Sequence, residues 1–115
     1  MIFDERLEMY VCEIEGVIFA FEEEQTGDYE ENLKSIAEKY WNKIDTIVDF
    51  MLSDLQDMYG DVDADDVKEN LGKPIIDLNS GQVDYCEQTF DDIHIFSFEF
   101  LDDDFDELQY FAIDG

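Results

Sequence analysis

Residues 28–59 read DYEENLKSIAEKYWNKIDTIVDFMLSDLQDMY, with apolar side chains from Leu33, Ile36, Ala37 and Tyr40 through Ile47, Val48, Met51 and Leu55 to Met58 and Tyr59. Steps of three and four residues place them on one stripe of a helix. The spacing predicts a single long amphipathic helix, about 46 Å at 1.5 Å per residue. That exceeds the width of a small domain, so a bend or break is expected near Ser53 and Asp54. Asp28 with Glu31 three residues on fits a capping box, and Glu30 is spaced to pair with Lys34.

Upstream, Leu7 to Phe21 suits a hairpin turning at Glu15-Gly16, which sets Ile14 opposite Val17, Cys12 opposite Phe19 and Tyr10 opposite Phe21. The second face of this hairpin carries Val11, Ile18 and Ala20, an apolar set that is a candidate for self-association into a homo-oligomer. Downstream of Gly60, Asp63 is placed to cap a short helix through Asn70 or Leu71, stopped by Gly72 and Pro74. From Ile75 the chain turns to strands: Ile75 to Leu78, Val83 to Phe90, Ile93 to Leu101 and Leu108 to Ile113. A tight turn at Asp91-Asp92 would set Thr89 opposite His94, Tyr85 opposite Phe98 and Val83 opposite Phe100. The expected fold class is α+β, in one domain over residues 1–115. It has an antiparallel sheet of about six strands, in the order β-β-α-α-β-β-β-β, packed on one long amphipathic helix.

The charge balance restricts function more than any motif does. Acidic residues number 33 and basic ones 6, a formal net charge of −27, against about 2 to 8 in magnitude for an ordinary small domain. Binding to nucleic acid or to an anionic membrane is disfavoured, because only Arg6, Lys34, Lys39, Lys43, Lys68 and Lys73 could meet phosphates. Hydrophobic residues make up 45% of the chain, enough to form a core despite the repulsion. No signal-peptide pattern opens the chain and no stretch has the apolar length of a membrane span, so a soluble cytoplasmic protein is expected. Cys12 and Cys86 lie far apart in sequence and read as free thiols in strand-like runs rather than as a zinc or redox pair.

No residue set names a reaction. Asp61, Asp63 and Asp65 occupy positions one, three and five of an EF-hand-like loop, but Asp66 stands where the loop needs glycine and Gly72 where it needs glutamate. His94, the single histidine, has neither Cys86 nor Ser97 on its predicted sheet face to serve as nucleophile. No glycine-rich phosphate loop is present, and no cofactor is implied. The acids at the predicted turns, Asp91, Asp92, Asp102, Asp103, Asp104 and Asp106, are instead candidates for holding lysine and arginine of a basic partner protein. The alternatives are a structural domain with a solvated acidic surface and a divalent-metal-binding module.

The C-terminal third carries a pattern: Val83-Asp84-Tyr85-Cys86, then Phe90-Asp91-Asp92-Ile93-His94-Ile95, then Phe111-Ala112-Ile113-Asp114-Gly115. An aromatic-bearing strand leads by an acidic turn into a strand with a histidine, and the last strand ends in Asp-Gly. Over residues 74–115 this resembles small uncharacterised acidic bacterial domains, some of them immunity proteins of toxin systems. The resemblance implies bacterial origin, an α+β fold and a role in neutralising a toxin. It assigns no functional residues.

Overall fold

The computed structural model describes residues 1–114, so Gly115, the last residue of the C-terminal pattern, lies outside the described residues. The fold is α+β. Seven strands form one sheet in chain order: β1 (Ile2–Asp4), β2 (Met9–Ile14), β3 (Val17–Phe21), β4 (Ile75–Asp77), β5 (Gln82–Tyr85), β6 (Ile95–Phe100) and β7 (Leu108–Asp114). Helices α1 (Glu30–Asn42), α2 (Ile44–Tyr59) and α3 (Ala64–Asn70) are inserted between β3 and β4. Strand pairs are antiparallel except β3 with β4, which are parallel. The expected fully antiparallel sheet fails there because the helical connection returns the chain to run in the direction of β3, a crossover that a hairpin cannot make. The additional strand, β1, lies outside the predicted order; it aligns Ile2 with Val11 and Asp4 with Met9.

The N-terminal hairpin has the expected register, Ile14 with Val17, Cys12 with Phe19 and Tyr10 with Phe21. At its turn Glu15 and Gly16 both have positive φ, 53° and 76°, the type I′ geometry that matches strand twist. Trp41 Nε1 donates to the Glu15 carbonyl at 2.6 Å and fastens the turn to α1.

The long stripe of residues 28–59 is two helices. The interruption falls at Lys43 (φ −104°, ψ 11°), whereas Ser53 and Asp54 lie inside an unbroken α2. The Lys43 N–H is shared between the carbonyls of Lys39 and Tyr40, both at 3.1 Å, which tightens the last turn of α1. α1 lies over β2 and α2 against β7, and a twisted sheet requires the helical layer to change direction between those strands. The expected start also moves: Tyr29 occupies the N-cap without a side-chain cap, so Asp28 and Glu31 form no capping box, and the Glu30–Lys34 pair is not made. At α3 the capping prediction holds, with Asp63 accepting from the Asp66 N–H at 2.8 Å and Asp66 accepting from the Asp63 N–H at 3.2 Å.

The core lies between helices and sheet and is largely aromatic. Phe19, Tyr40, Tyr85, Phe96, Phe98 and Phe105 are fully buried. The β5–β6 register differs from the predicted one: Tyr85 faces Phe96 and Val83 faces Phe98, because Cys86–His94 form a loop in place of a tight Asp91-Asp92 turn. The slip is two residues, so every side chain keeps its predicted face. Tyr40 of α1 and Tyr85 of β5 join hydroxyls at 2.6 Å inside this core. Burial raises the pKa of both phenols, so each stays neutral and one donates to the other.

Two measurements test these packing arguments. Tyr40→Phe leaves the Tyr85 hydroxyl buried without its partner and should cost about 1–3 kcal/mol in denaturant unfolding, whereas Tyr40→Phe with Tyr85→Phe should cost less than the single change. An equal or larger loss in the double variant contradicts the pairing. Glu15→Asn, which suits the left-handed φ of a type I′ turn and leaves the carbonyl that Trp41 uses, should stabilise the protein by about 0.5–1 kcal/mol, read as a raised unfolding midpoint.

Candidate functional site

The best-organised polar constellation is the loop Cys86–His94, where Asp91 is a hub. Its Oδ2 accepts from Tyr59 Oη at 2.5 Å and meets His94 Nδ1 at 2.6 Å. Its Oδ1 accepts from Gln88 Nε2 at 3.0 Å and from the backbone N–H groups of Ile93 and His94. Gln88 is buried and braces the loop from within: its amide nitrogen also reaches the carbonyls of Asp91 and His94, and its Oε1 accepts from the N–H of Phe90. The hydrogen bond from Tyr59, followed by those from His94 and Gln88, holds the Asp91 carboxyl well below the usual carboxylate range. Burial, with the carboxylate beside it, pushes Tyr59 up to about 12. Tyr59 also stacks on Phe90 with centroids 5.0 Å apart.

This arrangement locks a loop onto the end of α2. Asp91 has both oxygens occupied, so among the acids singled out in the sequence it is the least available to a partner. His94 gives one ring nitrogen to Asp91, and neither Cys86 nor Ser97 is hydrogen-bonded to the ring. Both thiols, Cys12 and Cys86, are half-buried and free, and burial raises the pKa of each. The sequence carried one signal for the network, an aspartate three residues before the lone histidine; nothing local pointed to Tyr59 or Gln88.

The second acidic turn is also internally engaged. Asp102 Oδ1 accepts from the N–H groups of Asp104 and Asp106. Lys39 pairs with Asp104 at 3.1 Å and Lys43 with Asp106 at 2.5 Å. Between these acids Phe105 takes a left-handed φ of 59° and buries its ring against Phe100 and Tyr40, at 4.9 and 5.7 Å. The turn is a plug whose acids are clamped by α1, leaving Asp92 and Asp103 as exposed carboxylates without a side-chain partner. Asp61, Asp63 and Asp65 do not converge: Asp63 caps α3 while Asp61 and Asp65 face solvent. Among the described residues no three histidine, cysteine or acidic side chains are arranged to hold a metal ion.

Among the surface hollows, an open one of about 590 Å³ is bordered by Asp61, Asp63 and Asp66, and two others are lined by apolar side chains of the sheet. On the helix-free face Val11 and Ile18 are half-buried and Ala20 fully buried, less exposed than the alternation implied, because β1 and the segment after it lie alongside. Val11 and Ile18, with Ile2, Leu7 and Ile75, bound a hollow of about 220 Å³. On the helical face a groove of about 310 Å³ runs between α2 and β7, lined by Asp54, Asp57, Met58, Phe111 and Ile113. Met58 is 48% exposed there, and no lysine or arginine borders the groove. Sequence reading assigned Met58 to the buried stripe; its place in the last turn of α2 is the one local hint of exposure.

Four of the six cations are spent within the chain, Lys68 on Asp45 and Lys73 on Glu13 in addition to the two at the plug. Past Asp45, the exposed carboxylates Asp49, Asp54 and Asp57 of α2 and Asp61 of the turn before α3 have no cation paired to them. Among the described residues no helix is long and apolar enough to cross a membrane. Comparison with family models, with curated proteins and with solved structures finds no match to this chain.

The Asp91 hub carries a pH prediction. A carboxyl whose folded pKa is depressed contributes stability that is present above its ordinary value of 3.8 and is lost as pH falls through the lower, folded value. Asp91→Asn should therefore unfold at lower denaturant than the parent at pH 7, with the gap narrowing below pH 3.8. A gap that is constant down to the lowest accessible pH contradicts the assignment.

Proposed function

We propose that this protein is a non-enzymatic binding domain whose acidic surface engages a basic protein. The observation that carries the reading is the internal use of the lysines: the chain pairs Asp104 and Asp106 of its plug and Asp45 at the start of α2 with its own cations and leaves the later acids of α2 unpaired. Such a surface presents a focused negative potential, which accelerates encounter with a basic partner by about 10–1,000-fold at low salt. Carboxylates beside apolar side chains, as at Asp54, Asp57 and Met58, then retain the partner through charge-assisted hydrogen bonds in partly dehydrated surroundings.

The resemblance of residues 74–115 to bacterial immunity domains gives the reading its specific form. The partner is a toxin of nuclease type, whose phosphate-binding surface is basic, and the complex forms in the bacterial cytoplasm. An acidic domain that occupies that surface inhibits the toxin without chemistry of its own. The raised pKa values of Cys12 and Cys86, and the lack of a hydrogen bond from Cys86 or Ser97 to the His94 ring, support a role without catalysis.

Affinity capture from the source cell, washed first at low and then at moderate salt, tests the proposal. One stoichiometric basic protein retained at moderate salt is the expected result. A mixture of basic proteins released together by salt, or no basic protein at all, would return the acids to a purely solvating role.

A further inference from the structure

We infer that the partner is held by strand addition: an extended segment with lysine or arginine flanking small apolar residues pairs with the outer edge of β7 and lays its side chains into the groove beneath α2. The inference rests on the binding role proposed above and assigns it a surface and a mode. β7 ends the sheet and pairs only with β6, so its outer edge has no strand partner among the described residues. An open edge offers backbone donors and acceptors at the spacing an incoming strand needs.

The two edges of the sheet are unlike. β1 has only the three residues Ile2–Asp4, a short edge of the kind that discourages pairing. β7 runs from Leu108 to Asp114 and is interrupted by a bulge: Ser97 faces Ala112 but Glu99 faces Gln109, and Tyr110 takes a left-handed φ of 54°. The bulge twists the first part of the strand out of line. Beyond it, Phe111–Asp114 form a regular edge directly beside the groove, where Phe111 and Ile113 face the helices.

Charge and shape select the occupant. A strand added at this edge alternates its side chains between the groove and solvent. Groove-facing residues meet Met58 and Ile113 at the centre and Asp54 and Asp57 on the helix above, a pattern that small apolar residues between lysines or arginines fit. A second copy of this chain fits poorly, because it brings a further charge of −27 to an acidic rim without cations.

The test uses a capped peptide, Lys-Thr-Val-Thr-Val-Thr-Lys, which places two valines between two lysines on one face, and the same peptide with alternate backbone amides methylated. Titration followed by NMR, with amide exchange of β7 as readout, should show saturable binding that slows exchange in Phe111–Asp114. Methylation should weaken binding about tenfold or more by removing strand hydrogen bonds. Asp54→Lys with Asp57→Lys should weaken it by about tenfold or more, whereas Glu23→Lys with Glu24→Lys, the same charge change away from the groove, should have less than about a threefold effect. Equal binding of the methylated peptide, equal effects of the two charge variants, or exchange slowed instead by dimerisation would each overturn the inference. If the partner retained in the capture experiment binds the Asp54→Lys, Asp57→Lys protein as well as the parent, the groove is excluded while the acidic binding role stands; if no basic partner is captured at all, it is that role which falls.

Discussion

The structure depends on one layer of aromatic side chains. Phe19, Phe96 and Phe98 from the sheet, Tyr85 beside them, Tyr40 from α1 and Phe105 from the acidic plug fill the space between sheet and helices. Burial of each large ring stabilises the fold by about 1.5–3 kcal/mol, and that gain is what opposes the mutual repulsion of a chain with a net charge of −27. The positions of the polar features follow from this layer. The kink at Lys43 lets α1 and α2 both cover it, and the left-handed Phe105 is tolerated because its ring completes the layer above Phe100.

Electrostatics are then arranged around the core. Lys39 and Lys43 close the plug over Phe105, and Lys68 ties α3 to the start of α2. Exposed pairs of this kind contribute little stability individually, about 0–1 kcal/mol. Their larger effect is on where negative charge remains. Asp104 and Asp106 of the plug and Asp45 at the start of α2 are matched; the acids at the C-terminal half of α2, beside an open sheet edge and the exposed Met58, are not.

Elements defined by neighbours in sequence were readable from the residues. The Glu15-Gly16 turn, the Asp63 cap of α3, the stop at Gly72-Lys73-Pro74 and the last strand all depend on local conformational preference or on a period of two. Misreadings arose where distant residues decide. β1 pairs across a reversal that Asp4 stabilises by accepting the N–H groups of Arg6 and Leu7, and three residues are too few to show a period. The Asp91-Asp92 pair looked like a hairpin turn, yet Gln88 and Tyr59 make it part of a longer loop. For the candidate site, acidity was evident at once, but which acids are free was not. Asp91, Asp104 and Asp106 differ from Asp54 and Asp57 only through partners supplied by other elements.

The sequence by itself determined the α+β class, the helical stripe, the hairpin register of β2 with β3 and the excess of carboxylates, because periodicity, turn chemistry and charge are properties of short stretches. Only the tertiary structure decided the break at Lys43, the parallel pairing of β3 with β4, the hub at Asp91 and the groove between α2 and β7. Each of those requires two segments remote in the chain to meet, and their meeting is set by how the aromatic layer packs and how the sheet twists.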